Sequence, residues 1–379
     1  MSHTVRTLMD AMERIAPLSM AESWDNVGLI AGSAGAPLRG GVAITIDLTA
    51  PVLEEAIARK ASVIVAYHPP IWTALKHLTD AEPGQALLLR AIEERIAIFS
   101  PHTALDGAGE GMNDWLAEGV TGGGATGDRR ALAPHLSQAP SQQLKVVTFA
   151  PSTALDRLRE AMASAGAGII GAYHLCSFST PGTGTFLGDE TSKPAVGVPE
   201  VLERVAEERL EMVCARSALP IVVETLRHFH PYEEPPIDVY ELVALPRRSA
   251  GAGRRVVLDQ PATLETIAGR LKAHLGVTAV KVARAPSMDG PITHVGVCPG
   301  AGSSLVERAI ADECQLFVTG EMRYHEVTGA LNRGLSIMLA GHTNTERGFL
   351  PRLRDRLARE LGGVDVFVAD ADRPRVELF

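Results

Sequence analysis

The stretch "GVAITIDLTAPVLEEAIARKASVIVAYHPPIW" (residues 41–72) decides the fold. An apolar run of strand type ends in Asp47, a helix-like segment covers 50–61, and a second apolar run ends in Tyr67 and His68. A strand, a helix and a strand of these lengths form a crossover unit, which sets the two strands parallel in one sheet. Pro69 and Pro70 then halt the second strand and fix the direction of its tip. In parallel sheets, functional side chains gather just beyond the carboxyl ends of the strands. His68 is therefore either a hydrogen-bonded core histidine or a metal ligand, and its neighbours have to decide.

The alternation continues outward from there. A helix is expected over 83–96, and "AIFSPHTALD" (97–106) reads as a strand and its loop. Asp47, His68 and the pair His102 and Asp106 thus stand at three consecutive strand ends. From about 255 the pattern resumes, with a helix over 263–276 and strands in "ITHVGVCPGAG" (292–302), "QLFVTG" and "SIMLAG". Glu321 and His325 follow the second of these strands, and His342 and Glu346 follow the third. Between the two outer segments lies a stretch that alternates strand–helix–strand twice, as a ferredoxin-like sandwich does. "YHLCSFSTPGTGTFLG" within it reads as two short strands around a Pro-Gly turn. The expected organisation is a discontinuous α/β domain with a mostly parallel sheet, its halves at 1–127 and 255–379, interrupted by an α+β insert over 142–246. The glycine-rich 118–130 and "RRSAGAGRRV" (247–256) read as the linkers.

Composition narrows the function. The chain has 379 residues, 46% apolar and 21% charged, which suits a well-cored globular protein. A net charge of −9 argues against general nucleic-acid binding, which needs a basic surface. The pairs Arg129-Arg130, Arg247-Arg248 and Arg254-Arg255 read as solvated loop charges. The N-terminus is an amphipathic helix pattern without a signal-peptide core, and no apolar run approaches the roughly 20 residues that span a bilayer. Cys176, Cys214, Cys298 and Cys314 sit singly, which fits reduced thiols in a cytoplasmic protein and excludes a thiolate zinc knuckle.

His342 and Glu346 are four apart, a spacing that puts both on one helical face. Thr343-x-x-Glu346 also has the form of a capping box, which competes with a ligand role. Pro351 favours a helix that begins after the motif. His68, Asp106, His342 and Glu346 together offer mixed nitrogen and oxygen donors, which suit zinc, manganese or ferrous iron. A bridging carboxylate would hold two ions roughly 3.5–4 Å apart. His102 and His325 are then supporting or acid–base candidates. "PGAGSS" (299–304) reads either as a phosphate-cradling turn or as a plain tight turn, and it lacks the lysine of a P-loop. No GxSxG nucleophile elbow is present in the sequence. The "WDNVGL" segment is read as structural support for the first helix and strand.

Taken in order, "AESWDNVGLIAG" (21–32), "YHPPIW" (67–72), "SPHTALDGAGEGMNDWLA" (100–117), "GEMRYHEV" (320–327) and "GHTNTERGFL" (341–350) resemble the NIF-three-like family, also called GTP cyclohydrolase I type 2 homologues. The middle segment, with "HPYEEPPIDVY" (230–240), is similar to the CutA/PII-like insert of longer members. The resemblance implies a dinuclear metal centre in a toroidal homohexamer, with His68, Asp106, His342 and Glu346 as ligands and Glu346 reaching both ions. Many members carry a histidine where this chain has Tyr67. A phenol with an ordinary pKa of about 10 is a poor ligand at neutral pH, so one or two divalent ions per subunit are expected. Tyr67 and Glu321 are read as supporting the ligands or binding weakly. The implied activity is metal-dependent hydrolysis of a nucleotide-like or phosphorylated small molecule. The alternative is a non-catalytic, ring-shaped metal-binding scaffold or regulatory protein whose insert binds a partner or effector. No membrane or nucleic-acid partner is expected.

Overall fold

The computed structural model describes residues 3–123, 128–288 and 290–376. The chain divides into two compact units, one built from residues 1–135 and 247–379 and the other from 136–246. The glycine-rich stretch expected as the first linker falls partly on 124–127, outside the described residues.

The first unit contains two sheets. In one, Val42–Thr45, Val63–Ala66 and Ala97–Ser100 run parallel, as the alternating sequence requires. Val366–Val368 joins them parallel at one edge, and Gly28–Ala31 lies antiparallel at the other. In the second sheet, Ile292–Ala301, Leu316–Glu321 and Ser336–Leu339 are parallel. Antiparallel strands flank them: Lys281–Ala283 on one side, Arg254–Ala262 and Asp128–Arg130 on the other. The single, mostly parallel sheet expected from the sequence is therefore two mixed sheets. Parallel order is confined to their centres, and each sheet takes an edge strand from the opposite sequence half.

The central strands read as unbroken apolar runs because both of their faces are buried. Val63 and Val65 join one large core that includes Val295, Val318 and Met338 of the second sheet. Helices Val5–Ile15, Met112–Thr121 and Leu350–Glu360 add Leu8, Met12, Leu116, Leu353 and Leu357 to the same core. Ile64, pointing the other way, packs with Leu53 and Leu88 of the crossover helices Ala50–Ala58 and Pro83–Glu93. Phe317 and Ile337 do the same on the outer face of the second sheet.

The last of those core helices starts where Pro351 is tolerated, inside its first turn. A separate short turn of helix, Asn344–Arg347, precedes it. "HTALDG", expected as loop, forms the short helix His102–Gly107, which puts His102 and Asp106 on one face.

The second unit is a four-stranded antiparallel sheet in the order Ile237–Glu241, Leu144–Ala150, Leu202–Cys214, Phe178–Leu187. With helices Leu155–Ser164 and Leu219–Phe229 it has the ferredoxin-like order. Its core is Val146, Leu158, Met162, Leu210, Met212 and Leu226. The two short strands expected around Pro181 and Gly182 are one continuous strand. It lies at the sheet edge, the place in a sheet where proline is tolerated.

"RRSAGAGRRV", expected as an exit linker, is strand at both ends, within Leu245–Ala252 and Arg254–Ala262. Its Arg254 is wholly buried and not a solvated loop charge. The guanidinium binds both carboxylate oxygens of Asp114, each at 3.0 Å, and the carbonyls of Ala108, Ser249, Gly251 and Gly253. Arg129, Arg130 and Arg255 are likewise paired, with Asp114, Asp312 and Asp128. No helix among the described residues is long and apolar enough to cross a membrane.

Candidate metal centre

The carboxyl ends of the two parallel strand sets meet at one place. His68, beyond Val63–Ala66, and His342, beyond Ser336–Leu339, bring their ring centroids to 5.5 Å. Glu346 rises between them from Asn344–Arg347 with its carboxylate almost completely buried. One oxygen stands 3.3 Å from Nε2 of His342 and the other 3.6 Å from Nε2 of His68. One donor atom from each of the three residues lies within 4.8 Å of the others.

Each imidazole is turned by its own carboxylate. His68 Nδ1 is 2.9 Å from Asp47, His342 Nδ1 is 2.9 Å from Glu321, and His102 Nδ1 is 2.8 Å from Asp25. Bonding of Nδ1 to a carboxylate leaves Nε2 as the outward donor, the arrangement usual for histidines that hold metals. His102 stacks edge-on against His68 at 5.4 Å. Asp25 is itself fixed by the Thr103 backbone N–H and hydroxyl.

Charge accounts for the protonation states. Burial works against a charged His68, but Asp47 and Glu346 on either side raise its pKa to about 10. Burial pushes Asp106 up to about 6, with the nearby His102 and the Tyr67 hydroxyl pulling the other way. Tyr67 is fully buried, and burial together with the charges of Asp106 and Glu346 raises its pKa well above the ordinary phenol range. It stays a neutral donor, and its hydroxyl gives a 2.6 Å hydrogen bond to Asp106. Asp25 and Asp47 are held below the usual carboxylate range: their burial is outweighed by bonds to His102 and His68.

These residues fit a divalent ion. Oε2 of Glu346 is buried and makes no hydrogen bond; it faces the His68 ring at 3.6 Å, a separation that a shared divalent ion would bridge once the imidazole sheds its proton. Two donors bound at about 2.0–2.1 Å to one tetrahedral ion stand roughly 3.4 Å apart, close to the separations found here. The backbone leaves room for this. Gly300 has φ +60°, and a Cβ there would lie 2.8 Å from Glu346 Oε1 and 3.2 Å from His342 Nε2. The "PGAGSS" turn therefore packs directly on the donors. The amides of Gly300 and Gly302 are already taken by the hydroxyls of Thr345 and Thr319, which leaves them unavailable to a phosphate.

Of the residues singled out from the sequence, His68, His342 and Glu346 are brought together as donors. Asp106 lies outside that trio, beside it, bonded to Tyr67. Glu321 orients His342, and His102 borders the cluster. His325 lies exposed on the first turn of Tyr324–Asn332, and its described contacts do not reach these groups. Glu346 makes no capping bond, so the Thr343-x-x-Glu346 pattern serves the site and not the helix end. Sequence reading missed the orienting role of Asp47, although it stands at a strand end. It also missed Asp25, which sits in a loop without periodicity and carries no pattern to find. Replacing Asp47 with alanine is expected to weaken divalent-metal affinity about 10–100-fold with folding intact, read by competition against a chromophoric chelator.

The Duf34/NIF3 (NGG1p interacting factor 3) family model matches residues 3–374. The chain is 33% identical to NIF3-like protein 1 of Bos taurus over 97% of this chain and 91% of that protein. It is 31% identical to a GTP cyclohydrolase 1 type 2 homolog of Bacillus subtilis (strain 168), over 96% of each. A crystal structure of a Bacillus cereus protein related to NIF3 superimposes with a TM-score of 0.68 at 30% identity, over 100% of this chain and 99% of that one.

Proposed function

The chain belongs to the Duf34/NIF3 family, and from that premise we propose that it is a metal-dependent hydrolase of a nucleotide-like or phosphorylated small molecule. The observation that carries the proposal is the buried Glu346 carboxylate between two imidazoles, its Oε2 without a hydrogen bond and each imidazole already oriented by a carboxylate. His68, His342 and Glu346 would hold a divalent zinc, manganese or iron ion. Asp106 and the second Glu346 oxygen offer donors for another ion, the dinuclear form of the reading. A bound ion would supply Lewis-acid polarisation and a water acidic enough to ionise near neutral pH.

The chain's own groups do the rest. Asp47 and Glu321 keep Nε2 of His68 and His342 facing inward. Asp25 fixes His102 with its Nε2 free to take or give a proton, the task of a general acid–base. Tyr67 holds Asp106 in place by donating its hydroxyl hydrogen. In this reading the chain is cytoplasmic and self-associates as a toroidal homohexamer, with the insert's ferredoxin-like order as the basis of its CutA/PII-like assignment.

The test is turnover of a panel of nucleotides and phosphoesters by the metal-loaded chain, beside His342→Ala and Glu346→Ala. Turnover that survives in both variants would refute the proposal. Binding should also be proton-coupled, because donors must shed protons before they bind. With His68 at about 10, affinity is expected to rise about tenfold per pH unit across neutrality. The slope steepens below about 6, where Asp106 also protonates. Calorimetry in buffers of different ionisation enthalpy reads the released proton, and none released at pH 7.5 would contradict this.

A second reading, a non-catalytic scaffold whose insert takes an effector, has one observation in its favour. The insert carries a half-open cavity of about 340 Å³, bordered by Phe186, Lys193, Glu207 and Tyr232. Absence of turnover with saturable binding of a small molecule to the insert would select it.

A further inference from the structure

Two of the chain's three tryptophans stand exposed on the rim of the candidate metal centre. Trp24 is 64% and Trp72 54% exposed, unusual for a side chain with so much apolar surface. Both edge onto His102, the ring that borders the ligand cluster. The Trp72 and His102 centroids are 5.2 Å apart and the rings stand at 88°, while Trp24 approaches His102 at 6.0 Å and 74°. Trp72 also lies 6.2 Å from His68.

The loops that carry the indoles are pinned by other residues. Asp25 is bound to His102 and Thr103, and Asn26 Nδ2 donates to the carbonyl of Ile71 at 2.7 Å, tying the Trp24 loop to the Trp72 turn. Asp25 turns inward and Asn26 bridges the two loops, so the backbone is locked while the indoles are left outside as a preset rim. Beneath that rim the groups are carboxylates and imidazoles, suited to cations and to the polar, reacting end of a ligand. The two exposed indoles offer π-faces to a ligand there.

We propose that Trp24 and Trp72 form a stacking platform for a flat, uncharged heteroaromatic ring, and so select substrates in which such a ring adjoins the group delivered to the metal ligands. This rests on the hydrolase reading above and narrows its substrate class. Stacking on an aromatic side chain tolerates any planar base, since every base has a π-face, so the platform sets a class and not one base. Neither tryptophan touches reacting atoms, and both are positioning residues.

The experiment titrates the metal-loaded, full-length chain with AMP, GMP and ribose 5-phosphate, following tryptophan fluorescence. Trp115 is buried against His274, 4.6 Å between centroids, and supplies a constant background. Both nucleotides are expected to quench saturably and to bind at least tenfold more tightly than ribose 5-phosphate, which shares their sugar phosphate. Trp24→Leu and Trp72→Leu should each raise the nucleotide Kd about tenfold, with Trp72→Phe within about threefold of the parent. Equal affinity for ribose 5-phosphate, unchanged Kd in the leucine variants, or no binding by any probe would overturn the proposal. So would leucine variants that change the assembly mass by light scattering while nucleotide affinity holds, which would make the rim a contact between copies. Binding is read without turnover, so a chain that stacks bases but hydrolyses nothing sinks the hydrolase reading alone. Turnover without base preference sinks this inference alone.

Discussion

Glu346→Ala is expected to strip the centre of its metal. The lost group is the one carboxylate standing between His68 and His342, 3.3 Å from one Nε2 and 3.6 Å from the other. Without it, two imidazoles held by Asp47 and Glu321 still point at one space, but no anion remains between them to offset the charge of a divalent ion. The loss should exceed the roughly 10–100-fold that removal of a supporting partner costs. Metal per chain, measured after gel filtration, should fall to a small fraction of the parent value. The fold should survive, because Oε2 makes no hydrogen bond and the His342 ring that Oε1 faces is still held by Glu321. Glu346→Gln separates charge from shape: the amide fills the same space yet brings no negative charge, so its metal content should stay near that of the alanine variant.

Arg254→Ala is expected to damage stability and leave the metal donors in place. The guanidinium is wholly buried, clasps Asp114 through two bonds, and satisfies carbonyls from Ala108, Ser249, Gly251 and Gly253. It therefore ties the strand on which the chain re-enters the first unit to the start of helix Met112–Thr121. Removing one partner of a buried pair costs about 3–5 kcal/mol; here Asp114 would keep only its contact with the part-exposed Arg129, and the four buried carbonyls would lose their donor. Urea unfolding should show a lower midpoint at an unchanged slope. Arg254→Lys should rescue little, since a point charge cannot reproduce the forked, two-bond contact with Asp114. A cost below about 1 kcal/mol for Arg254→Ala would mean that the clasp is dispensable.

The sequence and the structure agree most closely where periodicity carries the information. Val63–Ala66 and Leu316–Glu321 were legible as strands because burial on both faces leaves an unbroken apolar run. His68 and His342, beyond Val63–Ala66 and Ser336–Leu339, followed from the placement of side chains past the ends of parallel strands. What periodicity cannot convey is which strands share a sheet. Val366–Val368 and Asp128–Arg130 are three-residue edges, too short to show a period, and each pairs across the sequence halves.

Polar groups with tertiary partners were misread for a related reason. Arg254 looks like a solvated charge in a glycine-rich run, because its partner Asp114 lies 140 residues away. Asp25 gives no sign of its bond to His102, which lies 77 residues distant. Glu346 had a local explanation, the capping pattern, that competed with its role in the site. Only the folded chain shows that no capping bond forms.

The most direct test of the metal centre is metal-edge anomalous diffraction from crystals of the full chain, purified without chelators and supplied with zinc, manganese or iron. The account predicts anomalous density enclosed by His68, His342 and Glu346, with any second ion beside Asp106 and the other Glu346 oxygen. Anomalous density absent from that enclosure, or found only elsewhere on the chain, would contradict it.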